Sequence, residues 1–257
     1  MKVTVCEMPD DPKEFEAAWG QLSRHVGRHS SDLVLLPEMP FDYWFCAGPK
    51  FDAEVWRKAV RGHGEWMKRL TELGAPVVVA SRPVERRGKR LNEGFVWSRK
   101  KGTRGAHFKR YLPNEPGYYE ARWYDHGTRP FAPFEESGWK EGFMICSDMW
   151  SMADAMSYGK KGAELLLVPR ATGAGSVDKW VAGGRVAAVV AGAYCASSNR
   201  TGKRGAATFG GHGWVVDPDG EVLGLTSKGR PFVTVEIKRA RADRAKKTYP
   251  RSSLNAD

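Results

Sequence analysis

Short apolar runs recur along the whole chain, and several of them are apolar throughout instead of alternating with polar residues. Runs of this kind predict β-strands that are buried on both faces, as in sheets covered by helices. The predicted strands include residues 3–6, 33–36, 77–80, 94–97, 143–146, 165–168, 193–197, 213–216 and 232–237.

Stretches with helical periodicity lie between many of these runs. In residues 14–26, the apolar side chains of Phe15, Trp19, Leu22 and Val26 recur every three or four positions. This spacing places them on one face of an amphipathic helix. Comparable patterns predict helices over residues 53–73, 153–160 and 178–193.

The order of strands and helices predicts an α/β protein. Neighbouring strand patterns in residues 77–110, and again in residues 205–237, predict antiparallel hairpins, so the sheet should be mixed. Residues 217–220, with the sequence Asp-Pro-Asp-Gly, predict a turn, because proline presets φ and glycine supplies a positive φ. No repeat or linker divides the chain, and we expect a single domain over residues 1–257.

The chain is basic, with a formal net charge of +11 and an isoelectric point near 9.5. A basic protein can bind nucleic acid, anionic membranes or acidic substrates. Here the lysines and arginines are scattered, and the densest run, residues 238–247, is typical of a solvated helix face. We therefore expect no specific nucleic-acid partner.

The remaining composition favours a soluble protein of a reducing compartment. The four cysteines are widely and irregularly spaced and the six histidines are dispersed, so we expect neither a disulfide framework nor a metal site. The first residues resemble a β-strand and not a signal peptide, and no apolar stretch is long enough to span a membrane. These features predict a cytoplasmic protein without a membrane partner.

Glu38 follows an apolar strand and Pro37, which has no N–H and therefore ends strand pairing. A carboxylate in this position is expected at the rim of the sheet, half-desolvated, where its pKa rises towards that of a useful base. An ordinary exposed glutamate after a strand has the same local sequence, so this segment alone leaves both interpretations open.

Lys109 lies between aromatic residues and a loop rich in proline and glycine. A buried lysine needs a carboxylate partner, and Glu120 is a candidate for that partner. The alternative is a surface lysine that extends its charge into solvent.

Cys146 stands where an apolar run meets a polar turn and a predicted helix. A helix N-terminus and a nearby lysine both lower the pKa of a thiol, and a thiolate is a nucleophile. The alternative is a buried structural cysteine, which is inert.

Together these three segments resemble the nitrilase superfamily of carbon–nitrogen hydrolases. Glu38, Lys109 and Cys146 appear in that order, each after a β run and each followed by its own turn. The resemblance covers nearly the whole chain. On the sequences of residues 41–46 and 116–120, it is closest to the carbamoylputrescine amidase and β-ureidopropionase branches.

The resemblance implies a four-layer α-β-β-α sandwich with two mixed β-sheets, assembled into homodimers or larger homo-oligomers. It also implies a thiol mechanism without metal or cofactor. Cys146 would attack the carbonyl carbon and form a thioester, and Glu38 would take the thiol proton. Lys109 and the backbone N–H of Ser147 would stabilise the oxyanion. A protonated thiol does need a base, and a tetrahedral intermediate does need a fixed positive charge.

The same resemblance gives Glu120 the role of the family's second carboxylate, which orients the base and the substrate. Glu115 is a rival for this role. We prefer Glu120, because Glu115 precedes Pro116, at a point where the loop has yet to turn.

Several positions bear on the substrate. Ser147 stands where the family often has an aromatic residue, which leaves the acyl-side specificity open. Arg170, just after the strand at residues 165–168, could pair with a substrate anion or lie on the surface. Trp150 and Tyr43 are further candidates for the substrate-binding wall. Trp44, Trp123 and Trp180 could also line the pocket, although tryptophan is more often a residue of the hydrophobic core.

The predicted reaction is hydrolysis of a non-peptide C–N bond in a small amide or N-carbamoyl compound. True nitrilases generally carry glutamate two residues after the nucleophile, so Asp148 favours amide chemistry. A nitrilase that uses the same residues is the first alternative. A non-catalytic nucleic-acid-binding or scaffold protein, suggested by the net charge, is the second. Because Arg170 is expected near the site, an anionic or neutral substrate fits at least as well as a cationic one.

Overall fold

The computed structural model describes residues 1–254 of the chain. The strands are β1 Lys2–Pro9, β2 Leu33–Leu35, β3 Val77–Arg86, β4 Lys89–Ser98, β5 Gly102–Phe108, β6 Phe134–Glu136, β7 Trp139–Phe143, β8 Leu165–Pro169, β9 Tyr194–Arg204, β10 Ala207–Gly210, β11 Trp214–Val216, β12 Val222–Leu225 and β13 Phe232–Glu236. The α-helices are α1 Pro12–His29, α2 Ala53–Met67, α3 Glu120–Trp123, α4 Met152–Lys160, α5 Val177–Ala191, α6 Arg239–Ala245 and α7 Arg251–Leu254. Short 3₁₀ helices cover Phe45–Ala47, Leu70–Leu73, Cys146–Trp150 and Ala174–Ser176.

The strands form two mixed sheets. In the first, β1, β2 and β3 are parallel, while β4, β5 and β13 run antiparallel to their neighbours. In the second, β7, β8 and β9 are parallel, while β6, β11 and β12 run antiparallel to theirs. The sheets join where residues 7–9 of β1 pair with residues 199–201 of β9, and β10 folds back on the end of β9.

The first sheet is buried on both faces, as its apolar runs predict. Val3, Leu33 and Val77 face the second sheet and pack in one cluster with the residues of β8. Their neighbours Val34 and Val78 face the other way. They pack with the apolar side chains of α1, which are Phe15, Trp19, Leu22 and Val26.

Helix α5 covers the outer face of the second sheet, and its alanines belong to the same cluster as the strands of that sheet. The helix can approach closely because Gly184 faces Trp214 of β11: a Cβ at Gly184 would lie 2.6 Å from the Trp214 ring. The layers therefore run helix, sheet, sheet, helix, and the prediction of a four-layer α-β-β-α sandwich with mixed sheets is confirmed.

Both predicted hairpin regions are antiparallel, and the turn at residues 217–220 has the expected geometry. Gly220 has a φ of 85°, and its N–H donates to the Asp217 carbonyl at 3.0 Å. The Asp217 carboxylate accepts from the backbone N–H groups of Asp219 and Glu221, both at 2.9 Å.

Two expectations about element limits were wrong. Helix α2 ends at Met67, and a separate 3₁₀ turn at Leu70–Leu73 carries the last apolar positions of the predicted helix 53–73. The strand predicted at residues 143–146 ends at Phe143, and the chain enters a 3₁₀ helix at Cys146, whose positive φ cannot continue a strand.

The basic run at residues 238–247 contains helix α6, which buries Ala242 and Ala245 on its inner side. Its charged residues Arg239, Asp243 and Arg244 are exposed, as expected for a solvated helix face.

Candidate active site

Glu38 and Lys109 lie just beyond the ends of β2 and β5, two strands of the first sheet that are separated by β3 and β4. The backbone N–H of Glu38 donates to the Arg170 carbonyl at 3.2 Å, after β2 has ended. The backbone N–H of Lys109 donates to the Asn92 carbonyl at 2.9 Å, directly after β5. Because these strand ends meet at one edge of the sheets, side chains 71 positions apart in the sequence come into contact.

The Lys109 ammonium is held between two carboxylates. Its Nζ atom lies 2.8 Å from Glu38 Oε1, and 2.7 and 2.6 Å from the two Glu120 oxygens. All three side chains are fully buried. Glu38 is therefore not half-desolvated at a rim, as the sequence led us to expect, but enclosed by residues from several elements. Glu120 is the carboxylate that meets Lys109.

Further polar groups hold the two carboxylates in place. Asn92 donates its amide N–H to Glu38 Oε1 at 2.7 Å, and the Tyr124 hydroxyl donates to Glu120 Oε2 at 2.7 Å. Glu38 Oε2 is buried and has no hydrogen-bond partner among the described residues. One oxygen of Glu38 is thus fixed, while the other is available to accept a proton.

The pKa values in this cluster follow from burial and from the shared charge. Burial, then the Glu38 carboxylate, raises the pKa of Glu120 to about 8, although Lys109 acts in the opposite direction. Burial alone would lower the pKa of Lys109, but the charges of Glu120 and Glu38 outweigh it and hold that pKa well above its usual value. Lys109 therefore stays charged, while burial and the repulsion between the two carboxylates favour a proton on Glu120.

Cys146 begins a 3₁₀ helix in a strained backbone conformation. Its φ is 48°, a left-handed value that is uncommon for a residue other than glycine. The side chain is buried yet lines a cavity. Strain of this kind occurs where the surrounding structure must direct one side chain into a site.

Burial raises the pKa of Cys146 well above its usual value, and the charge of Glu38 raises it further. The charge of Lys109 and a hydrogen bond from the Ala171 backbone act in the opposite direction. The thiol is therefore protonated at neutral pH, and its conversion to a nucleophile requires a base.

Asp148 ties the segment after Lys109 to the segment after Cys146. Its Oδ1 accepts from the backbone N–H groups of Arg110 and Tyr111 at 3.0 Å, and its Oδ2 lies 2.9 Å from Nε2 of His107. Sequence reasoning treated Asp148 only as a mark of amide chemistry. The structure shows that it is also buried and holds the segment after Lys109 against the one after Cys146.

A cavity of about 270 Å³ opens onto Cys146, and we call it the active-site cavity. Ser147 and Trp150, two of the residues singled out from the sequence, lie on its wall. Trp180 packs against Trp150, with ring centroids 4.8 Å apart. The full lining is Pro113, Glu115, Tyr118, Glu120, Cys146, Ser147, Trp150, Ala171, Thr172, Gly173, Ser176 and Trp180.

Arg170 does not line this cavity, and its placement does not fit the predicted anion-binding role. The side chain is 1% exposed, and its nitrogens donate to Ser197 Oγ at 2.6 Å, Thr172 Oγ1 at 2.7 Å and the His212 carbonyl at 2.7 Å. The guanidinium also lies over the ring of Trp214. The residue turns inward because three neutral acceptors, one in β9 and two in loops, satisfy its nitrogens.

Tyr43 is also outside the active-site cavity. Its ring faces the cations of Arg204 and Lys58, with Arg204 Cζ 4.5 Å from the ring centroid. Arg200 binds the backbone of the loop after Glu38 and holds it away from the active-site cavity. Sequence reasoning did not identify this role of Arg200. Arg200 donates to the Met39 carbonyl at 2.6 Å and pairs with Asp10 at 2.7 Å. The available signal was a charged residue within four positions of the apolar run at residues 193–197.

Comparison with known proteins identifies the family. A family model for carbon-nitrogen hydrolases matches residues 2–247. The chain belongs to the carbon-nitrogen hydrolase family. This confirms the resemblance to the nitrilase superfamily, and with it the prediction that the protein is an enzyme.

Sequence relatives of this carbon-nitrogen hydrolase include two kinds of enzyme. It is 27% identical over 238 residues to an N-carbamoylputrescine amidase from Arabidopsis thaliana, covering 83% of this chain and 77% of the relative. It is 26% identical over 179 residues to a citrullinase from Francisella tularensis subsp. tularensis, covering 67% of this chain and 62% of the relative.

Solved structures of the family share the fold of this chain. A carbon-nitrogen hydrolase from Helicobacter pylori G27 superposes with a TM-score of 0.87 at 24% identity, covering 98% of this chain and 94% of its own. An amidase from Nesterenkonia sp. superposes with a TM-score of 0.78 at 18% identity, covering 100% of this chain and 95% of its own. One structure of that amidase shows Michael addition of acrylamide at its active-site cysteine.

Two further observations concern residues 1–254. No three histidine, cysteine, aspartate or glutamate side chains among them come together as a metal site. None of the helices in this range combines the length and the apolar character needed to cross a membrane.

Proposed function

We propose that this carbon-nitrogen hydrolase cleaves a small amide or N-carbamoyl compound with Cys146 as nucleophile and Glu38 as base. The observation that carries the proposal is the buried contact of Lys109 with Glu38 and Glu120, beside a thiol whose pKa responds to all three charges. A lysine and two carboxylates buried together without solvent are costly to maintain, and such groups cluster at functional sites.

The reaction begins when Glu38 Oε2 takes the proton of the Cys146 thiol and the sulfur attacks the carbonyl carbon. The proton then passes to the leaving nitrogen as the C–N bond breaks, which leaves the acyl group on sulfur. Water attacks this thioester with Glu38 again acting as base, and the acid and the free thiol are released. Glu120 keeps Lys109 and, through it, Glu38 in position.

The oxyanion of each tetrahedral intermediate is stabilised by Lys109 and by the backbone N–H of Ser147. Ser147 follows the strained Cys146 in the first turn of the 3₁₀ helix, so its N–H is not used in a strand. A buried donor of this type contributes about 10²–10³ in rate.

The substrate class follows from the charges at the active-site cavity. Its charged lining residues are Glu115 and Glu120; since Glu120 is already paired with Lys109, the further negative charge at the cavity is that of Glu115. Arg170, which was expected to attract an anion, is held by neutral oxygens. A neutral or cationic substrate fits such a cavity better than an anionic one, and an N-carbamoyl amine is consistent with the activities named for both sequence relatives.

A nitrile is the alternative substrate for the same residues, since a thiol can add to a nitrile carbon. Asp148, two residues after the cysteine, favours amide chemistry over this alternative. Homo-oligomeric assembly and a cytoplasmic location stay predictions from the sequence, and gel filtration and cell fractionation would test them. The single domain over residues 1–257 likewise stays a prediction, since residues 255–257 lie outside the described part.

The proposal is tested by ammonia release from a panel of primary amides, N-carbamoyl amines, N-carbamoyl amino acids and nitriles. We expect turnover of amides or N-carbamoyl amines, and an acyl adduct on Cys146 in the intact-protein mass. Cys146→Ala should lower kcat by about 10⁴-fold or more. Cys195→Ala, at a fully buried thiol outside the cavity, is the matched control and should stay active. Turnover that persists in Cys146→Ala would contradict the mechanism.

A further inference from the structure

The Tyr118 hydroxyl is a buried polar group that the mechanism above does not use. Among the residues that line the active-site cavity, it is the side-chain polar atom that is buried and lacks a hydrogen-bond partner in residues 1–254. Leaving a hydroxyl unpaired away from water costs free energy, so native proteins rarely do it without a reason.

The ring of Tyr118 is fixed, so its hydroxyl has a defined position. Pro116 and Gly117 form a tight turn, with two backbone hydrogen bonds between Glu115 and Tyr118 and a φ of 86° at Gly117. This is the arrangement expected when proline and glycine occupy the centre of a type II turn. The Tyr118 ring then packs edge-on against Phe209, with centroids 6.3 Å apart.

Tyr118 lines the same cavity as the nucleophile, Cys146, and as Glu115. Burial raises the pKa of Tyr118, and the charges of Cys146 and Glu115 raise it further, so the hydroxyl remains protonated. On the other side stands Gly173, where a Cβ would lie 3.1 Å from the Tyr118 oxygen. The absence of a side chain at Gly173 therefore avoids a close contact with the hydroxyl.

We infer that Tyr118 is a specificity-determining residue whose hydroxyl accepts a hydrogen bond from the N–H that stays attached to the carbonyl carbon of an N-carbamoyl substrate. In such a substrate, R–NH–CO–NH₂, the carbonyl oxygen is assigned to Lys109 and Ser147, and the NH₂ leaves as ammonia with a proton from the carboxylates. The remaining N–H has no assigned partner, and a primary amide carries CH₂ in its place.

This assignment rests on the proposed function, and every atom of the substrate is accounted for in the products. Attack by Cys146 gives R–NH–CO–S–enzyme and ammonia, and water then releases the carbamic acid R–NH–COOH and the free thiol. The carbamic acid decomposes to the amine and carbon dioxide. Tyr118 takes no part in proton transfer, and its contribution is selectivity between two substrate classes.

The test compares N-butylurea with hexanamide, which differ only by NH in place of CH₂. Tyr118→Phe removes the hydroxyl and keeps the ring in its packing. We expect kcat/KM for N-butylurea to fall about tenfold, and that for hexanamide to change by less than about threefold. Gly173→Ala, at an ordinary φ of −74°, should also reduce the preference for N-butylurea because its methyl group approaches the hydroxyl.

Tyr119→Phe is the matched control, since the neighbouring tyrosine does not line the active-site cavity. It should leave the ratio of the two kcat/KM values unchanged. Equal losses for both substrates in Tyr118→Phe, or no loss, overturn the assignment while the proposed function stands. A wild-type enzyme that hydrolyses no amide or N-carbamoyl compound of the panel, these two included, and forms no adduct contradicts the proposed function instead.

A binding measurement shows whether the Tyr118 hydroxyl contributes a hydrogen bond to the substrate, without relying on turnover. N-butylurea is titrated into Cys146→Ala and into the double variant Cys146→Ala/Tyr118→Phe by calorimetry. A Kd about tenfold weaker in the double variant, with no such difference for hexanamide, supports the hydrogen bond. The same Kd in both proteins overturns it.

Discussion

Lys109 and Arg170 are both fully buried cations beyond strand ends, yet their surroundings differ. Lys109 makes its side-chain hydrogen bonds with two carboxylates, Glu38 and Glu120. Arg170 donates to two hydroxyls and a carbonyl, all neutral, and lies over tryptophan rings. Both cations satisfy the requirement that a buried charge be paired or hydrogen-bonded.

The difference separates a reactive cluster from a structural one. Around Lys109, the negative charges exceed the positive charge, one Glu38 oxygen lacks a partner, and the pKa values of Glu120 and Cys146 are raised. Around Arg170, each guanidinium nitrogen has an acceptor, and burial lowers the pKa of the guanidinium to about 10, so it stays charged at neutral pH. Burial of a charge is therefore no sign of function unless its partners remain reactive.

The largest expected difference between the two clusters is in kcat and in unfolding free energy when each cation is replaced by methionine. Lys109→Met leaves two buried carboxylates without their cation, and we expect a loss of about 10²–10³ in kcat and of about 3–5 kcal/mol in unfolding free energy. Arg170→Met leaves neutral oxygens unpaired, and we expect a loss of about 1–3 kcal/mol in unfolding free energy with kcat near the wild-type value.

Steady-state kinetics and urea denaturation of both variants check this contrast. Lys109→Gln serves as a control that keeps a hydrogen-bond donor but no charge, and its kcat should stay close to that of Lys109→Met. A large loss of kcat in well-folded Arg170→Met would show that the two clusters do not differ as described.

A smaller effect is expected on the acidity of the nucleophile. Because the Glu38 charge raises the pKa of Cys146, Glu38→Gln should lower that pKa towards its usual value of about 9, while turnover is lost with the base. The ultraviolet thiolate absorbance, taken as a difference from Cys146→Ala across a pH titration, reports this directly. Wild-type thiolate should form only at pH values well above 9.

The sign of that shift is the informative result. An unchanged or higher Cys146 pKa in Glu38→Gln would contradict the proposed charge repulsion between the carboxylate and the thiolate. Arg170→Met, in contrast, should raise the pKa of Cys146, because it removes a positive charge that interacts with the thiolate.

The smallest effect is expected at Ser147. Its side-chain hydroxyl donates to the Tyr111 carbonyl, whereas the proposed oxyanion contact uses its backbone N–H. Ser147→Ala keeps the backbone N–H, so kcat should fall by less than about tenfold. A loss as large as that of Lys109→Met would assign the oxyanion contact to the hydroxyl instead.

Much of the fold was predictable because it depends on local pattern. Runs such as residues 165–168 are apolar at every position, and this composition is compatible with a strand between two layers. The spacing in α1 likewise identified its buried face. The errors fell where a tertiary feature overrides local preference, as at Cys146, whose positive φ ends the apolar run.

The candidate site was predictable in its members but not in its geometry. The order of Glu38, Lys109 and Cys146 after strand ends pointed to these residues. The roles of Asn92 and Tyr124, which orient the carboxylates of Glu38 and Glu120, could not be predicted, because both residues come from segments without a distinctive local pattern.

The sequence by itself determined the strands, the helices and which reactive side chains stand at strand ends, because periodicity and turn residues act over a few positions. Only the tertiary structure decided the direction of each side chain and its partners. Glu38 became fully buried, while Arg170 and Tyr43 turned away from the active-site cavity. The physical reason is that burial and charge pairing depend on residues distant in sequence, which meet only when both sheets are packed.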